Sequence, residues 1–289
     1  MADSGGETQH PNALKREDIV ALNTSQFPTS STQLTDLLRA VLTQNLANSD
    51  LGPLRFLAEL SSPNIGRLDV DLTDCQIVLT KGEYRPRDEA PPLVAFDTGR
   101  IDYYNAQAQP LIIGAAPVNF RIEGRDLPIG WFRLPDDELG VGILEESADT
   151  RVPAGKFSAE ADPQDLVELV RALAAGSLPD EVEVYRPRAS VSQAGPESFI
   201  VSASCRVRYK IFRVRLGVEV AGRLASTGLL TIERIWLRRS NWILRMFTRV
   251  LRREYEKTHD LNKAFTSGSK LTNLRFSANE KLAVSGELR

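Results

Sequence analysis

Phe199-Ile200-Val201-Ser202-Ala203-Ser204-Cys205-Arg206-Val207-Arg208-Tyr209-Lys210-Ile211-Phe212-Arg213-Val214-Arg215-Leu216-Gly217-Val218-Glu219-Val220 is the stretch on which the reading of the fold turns. Phe199, Val201, Ala203, Cys205, Val207, Tyr209 and Ile211 fall on one side of a two-residue period. Ser202, Ser204, Arg206, Arg208 and Lys210 fall on the other. Such alternation marks a half-buried strand, because successive side chains of a strand point to opposite faces. Past Ile211 the phase flips, and Phe212, Val214, Leu216, Val218 and Val220 become the apolar row.

The same pattern recurs on both sides of this stretch. Leu68, Val70 and Leu72 alternate with Asp69, Asp71 and Thr73, after which Cys75, Ile77 and Leu79 continue in the opposite phase. A bulge or tight turn near Thr73-Asp74 would restore the facing. Shorter strands joined as a meander are expected across residues 93–145, with Leu111–Ile113 and Val118–Ile122 the clearest. Further strands are expected at 181–188 and 227–239, and Leu271–Phe276 with Leu282–Leu288 reads as a closing hairpin.

Four segments carry helical signals. Ser31–Asn48 places Leu34, Leu37, Leu38, Val41, Leu42 and Leu46 on one face, with Ser31 or Thr32 as cap. Leu54–Leu60 reads as a short second helix between Gly52-Pro53 and Ser61-Ser62-Pro63. Asp162-Pro163 opens a third, with Leu166, Leu169, Val170 and Leu173 as its stripe and Gly176 at its end. Asn241 to about Ala264 forms the longest. The expectation is an α+β fold: a long, highly curved antiparallel sheet wrapped around helices. Residues 1–30 would be a mobile tail, and 31–289 a single domain.

With 42% hydrophobic and 26% charged residues the chain has a globular balance, which argues against disorder. No run is apolar enough to span a membrane. The opening MADSGGETQHPN lacks the basic and apolar regions of a secretory leader, so a cytoplasmic setting is expected. Cys75 and Cys205 fall on apolar sides of strand patterns, where free thiols pack as small hydrophobes.

Catalytic chemistry is hard to assemble from these residues. The histidines are His10, in the tail, and His259, among Lys257, Thr258 and Asp260. A serine or cysteine nucleophile therefore lacks an evident base. Two cysteines and two histidines, widely separated, do not suggest a zinc site. Gly140-Val141-Gly142 lacks the third glycine of a dinucleotide loop, and the acidic runs Asp136-Asp137-Glu138 and Glu145-Glu146 have no aromatic or histidine neighbours. We expect no enzymatic activity, no cofactor and no metal.

Charge is the informative feature. The net charge is -2, yet residues 201–257 hold fourteen Lys or Arg against four Glu, so the remainder is strongly acidic. On a helix from Asn241, Trp242, Ile243, Met246, Phe247, Val250 and Leu251 form an apolar face opposite Arg245, Arg249, Arg252 and Arg253. That composition suits an anionic membrane surface, with Arg238 and Arg239 leading into it. It equally suits a helix packed on a sheet with its arginines solvated or paired to Glu254 and Glu256. Arg206, Arg208, Lys210, Arg213 and Arg215 would extend the positive surface. Nucleic acid is not expected as a partner, because Phe199, Tyr209 and Phe212 alternate away from the arginines.

Three stretches carry a family resemblance. Lys156–Leu166 resembles a short strand leading into a central helix, Gly222–Trp236 a long hairpin strand, and Leu271–Gly286 a closing hairpin. Together they resemble the LmeA-like phospholipid-binding family of the tubular lipid-binding superfamily. The resemblance implies a curved sheet wrapped along a long helix, with lipid held between them. Leu166, Leu169, Val170, Leu173, Trp242, Met246 and Phe247 are then the expected ligand contacts. Noncatalytic binding of a lipid or other long apolar ligand is the leading expectation, with peripheral docking to anionic membrane through Arg238, Arg239, Arg245, Arg249, Arg252 and Arg253. The alternative is a protein-interaction or scaffold module with a basic lobe.

Overall fold

The computed structural model describes residues 13–14, 18–46, 48–78, 92–144, 153–165, 167, 182–209, 212–238, 258–264, 270–278 and 280–289. In chain order the elements are β1 (Ala13–Leu14), β2 (Val20–Ala21), α1 (Ser31–Asn45), β3 (Arg55–Ser61), β4 (Asn64–Asp71), β5 (Gln76–Ile77), β6 (Leu93–Val94), β7 (Asp97–Ile113), β8 (Ala116–Arg133) and β9 (Leu139–Ile143). They continue with β10 (Ala154–Ala161), β11 (Val182–Gln193), β12 (Ser198–Tyr209), β13 (Phe212–Leu224), β14 (Leu229–Arg238), β15 (Thr258–Asp260), a 3-10 turn (Leu261–Ala264), β16 (Leu271–Ala278) and β17 (Leu282–Leu288).

The phase flip past Ile211 falls between two strands that pair antiparallel. Tyr209 pairs with Phe212, so odd residues of β12 stand opposite even residues of β13. Val201 faces Val220, Ala203 faces Val218 and Cys205 faces Leu216, which keeps the apolar residues together across the pair. The small sheet runs β11-β12-β13-β14-β15. The large, ten-stranded sheet has the path β16-β17-β10-β8-β7-β4-β3, with β5, β9 and β2 attached beside it. A third sheet pairs only β1 with β6.

The α+β expectation of a sheet wrapped around helices is corrected. The described residues are mostly strand in several sheets, and the larger sheet is mixed, since β4 and β5 both run parallel to β7. Leu54–Leu60 is not helical but lies mostly in β3. Leu54, Phe56, Ala58 and Leu60 alternate with Arg55, Leu57 and Glu59, and that two-residue period prevails over helical propensity. Across residues 93–144 the strands β7, β8 and β9 pair as the expected antiparallel meander, but β7 and β8 are long rather than short, and Pro110 is accommodated where the β7/β8 register shifts between Ala108 and Leu111. Of the expected helix Asn241–Ala264, residues 258–260 are strand and 261–264 a 3-10 turn, and the remainder lies outside the described residues.

Helix α1 begins at Ser31 as expected and ends at Asn45 rather than Asn48, but its cap lies one residue before the Ser31 or Thr32 expected. Ser30 is the cap, its hydroxyl accepting from the Gln33 N–H at 3.2 Å. The helix lies along edge strand β3 and closes it with side chains one turn apart. Thr35 Oγ1 accepts from Ala58 N–H at 2.9 Å and donates to Ala58 C=O at 3.1 Å. Ser31 Oγ accepts from Leu60 N–H at 2.9 Å, and Arg39 Nη2 donates to Leu54 C=O at 2.8 Å. An edge so covered cannot recruit another strand.

Beneath α1, Leu34 and Val41 pack on Ala58, Ile65, Ile101, Ile129 and Trp131. Trp131 is fully buried, packs tilted against Phe27 with ring centroids 4.5 Å apart and donates its indole N–H to Pro63 C=O at 2.9 Å. The core also draws on residues assigned above to the tail: Leu14, Ile19, Leu22 and Pro28 are all buried. Cys75 is buried at the turn where the sequence phase changes, with Asp74 at φ 63, and both cysteines are free.

Candidate ligand-binding face

Cross-strand register sorts the large sheet into two unlike faces. On the inner face, one row runs Ala58, Leu68, Tyr104, Gly124, Gly155. The next runs Phe56, Val70, Ala106, Ile122, Phe157, Gly286, and a third Ala108, Phe120, Ala159, Val284, Phe276. On the outer face a row runs Arg55, Asp71, Gln107, Arg121, Ser158, Ser285, Arg275. The inner face is thus apolar over its width and the outer one polar, as in a sheet solvated on one side.

Aromatic rings lie over glycines on the inner face. A Cβ at Gly124 or Gly155 would fall 2.4 or 3.0 Å from the Tyr104 hydroxyl oxygen, and one at Gly286 would fall 2.8 Å from the Phe157 ring. These glycines leave room for the rings to reach across the neighbouring strands. Burial raises the Tyr104 hydroxyl above the usual phenol range, so it stays neutral.

Helix α1 covers the β3 end of this face. Past β7, Ile122 remains 38% exposed, while Phe120, Phe157, Ala159 and Val284 are half-buried. At the far margin Phe276 meets Phe199 of the small sheet, ring centroids 5.5 Å apart. Between α1 and that contact lies an apolar strip across β8, β10 and β17 that is only partly withdrawn from water.

The outer face carries two adjoining hollows of about 620 Å³ and 490 Å³. Their floor is made of short side chains, Ser158, Ala283 and Ser285, and their rims of long ones, Arg121, Lys156, Glu160 and Arg275. Glu160 accepts from Lys281 Nζ and from Asn119 Nδ2, both at 2.8 Å, and these bonds hold its carboxyl below the usual range. Asn273 and Arg289 do the same for Glu287. The three ion pairs here, Arg121–Glu123, Lys281–Glu160 and Arg289–Glu287, are solvent-exposed and stabilise little.

Among the described residues, no three His, Cys, Asp or Glu cluster as metal ligands, and no helix is long and apolar enough to cross a membrane. His259 lies in β15 opposite Leu230.

Most residues singled out from the sequence lie outside the described residues: Leu166, Leu169, Val170, Leu173, Trp242, Met246, Phe247, Arg239, Arg245, Arg249, Arg252 and Arg253. The start of the third helix is present, with Asp162 Oδ1 accepting from Gln164 N–H at 2.7 Å and Val167 buried. Arg238 ends β14 opposite Gly217. Sequence reading missed the strip residues Ile122, Phe157 and Val284. Their alternation is visible, but only register shows that strands far apart in the chain combine them. No family model, curated protein or solved structure matches the chain.

Proposed function

We propose that this protein binds a lipid or other long apolar ligand without transforming it, and that the ligand lies on the inner-face strip centred on Ile122 and Phe157. The observation that carries this reading is the partial exposure of a continuous apolar surface between α1 and the small sheet. Leaving such a surface wet forgoes roughly 25 cal/mol per Å² of burial, and an apolar ligand recovers it.

The reading is tested with a fluorescent fatty acid whose emission rises in apolar surroundings. Wild-type protein should bind it saturably, and Ile122→Asp should weaken binding at least tenfold while thermal unfolding stays cooperative. Equal binding by both chains would remove the strip from consideration.

A further inference from the structure

One row of the large sheet's outer face bounds both hollows. Register sets Arg121 of β8 opposite Ser158 of β10, Ser158 opposite Ser285 of β17, and Ser285 opposite Arg275 of β16. These four residues line the larger and the smaller hollow alike. Adjacent strands lie about 4.8 Å apart, so the two arginines start about 14 Å from each other with two hydroxyls between them. A bulge shapes the β16 rim: one extra residue separates Thr272 from Arg275, and Asn273 takes φ 53 there. Bulges re-aim side chains, and this one sets Asn273 beside Arg275, where it donates to Glu287 at 3.0 Å.

The charges at the rims do not cancel. Arg121, Lys156 and Arg275 share the lining with Glu123, Glu160 and Glu287. Lys281 holds Glu160 and Arg289 holds Glu287, and neither of those cations belongs to the lining. Glu123 accepts from Arg121 Nη2 at 3.0 Å, an exposed pair that a ligand exchanges at little cost. Arg275 and Lys156 are left over. Both are exposed, and among the described residues neither side chain has a hydrogen bond or ion pair; Lys156 bears on Glu287 through charge alone, after the Asn273 and Arg289 hydrogen bonds. The Ser158 and Ser285 hydroxyls likewise have no hydrogen-bond partner among the described residues.

We propose that this row is a binding site for a phosphate monoester. The two leftover cations match a dianion, which a monoester approaches at neutral pH and a singly charged diester does not. Serine hydroxyls donate to phosphate oxygens, and a guanidinium meets two of them at once. Each hollow is of the size that takes a small molecule. A metal cation fits less well, since among the described residues no three acidic, His or Cys side chains converge. The site lies on the opposite face of the sheet from the apolar strip and stands or falls without it. The phosphate belongs either to a soluble ester or to a lipid headgroup, and α-glycerophosphate and phosphatidic acid present the same group from the two sources.

The test is titration calorimetry of the full chain with α-glycerophosphate, with glycerol as the uncharged control, beside sedimentation with phosphatidylcholine vesicles that contain phosphatidic acid. Wild type should bind the phosphate and not glycerol, and less tightly as salt rises. Arg275→Gln and Lys156→Gln should each weaken binding about tenfold, the loss of one charge-assisted hydrogen bond, at an unchanged melting temperature because both side chains are exposed. Arg275→Lys should keep more of the affinity than Arg275→Gln, which separates lost charge from a disturbed strand. Vesicle binding that the glutamine variants weaken assigns the phosphate to a lipid headgroup, and uptake of α-glycerophosphate without vesicle binding assigns it to a soluble ester. Binding of neither form by folded wild type, or binding that both glutamine variants leave unchanged, would overturn the proposal.

Discussion

Replacing Thr35 by Val keeps the shape of the side chain and removes the hydroxyl that closes the β3 edge. That hydroxyl is bonded to both Ala58 N–H and Ala58 C=O, and Ala58 has no exposed surface. The variant therefore strands one buried donor and one buried acceptor. At about 1–3 kcal/mol for each unsatisfied group, partly relieved by relaxation, the loss should be about 2–4 kcal/mol. Helix propensity does not confuse the measurement, because Thr and Val rank together. Equilibrium urea unfolding should show a lower midpoint at unchanged slope, with melting lowered by about 3–7 °C. Thr35→Ser, which keeps the hydroxyl, should lose less than half as much. A loss under about 0.5 kcal/mol for Thr35→Val, the range of an ordinary surface substitution, would refute the role assigned to this contact.

The glycine contacts predict that Gly286→Ala, whose Cβ would sit 2.8 Å from the Phe157 ring and 3.1 Å from Leu274 Cδ1, destabilises by about 1–3 kcal/mol, measured by thermal melting. Asp71 has its carboxyl lowered, chiefly by the Thr73 side-chain hydrogen bond. A depressed folded pKa means stability that is present above the unfolded carboxylate value, about 3.9, and lost as pH falls through the folded value. Thr73→Val should therefore cost stability at neutral pH, and the difference from wild type should shrink on acidification. A difference that stayed constant with pH would contradict this assignment.

Local periodicity carried the strands well. β12 pairs antiparallel with β13 and β16 with β17, the phase change at Thr73-Asp74 coincides with a turn, and the one past Ile211 falls between two paired strands. What escaped was the partnership between distant strands. Nothing local in Ile65–Asp71 announces that it pairs in parallel with Ile101–Gln107, or that β10 lies between β8 and β17. Long β7 and β8 were hidden because Pro110 and Gly124 read locally as breaks, although the sheet accommodates Pro110 at a register shift and Gly124 under the Tyr104 ring.

The central claim is that the inner face carries an apolar ligand, and the most direct measurement is lipid mass spectrometry on an organic-solvent extract of the purified, folded protein. The account predicts one lipid class recovered in near-stoichiometric amount, and a sharp reduction from Ile122→Asp. An empty extract from folded wild-type protein that also fails to take up a fatty acid would contradict it, and would turn attention to a protein-interaction module.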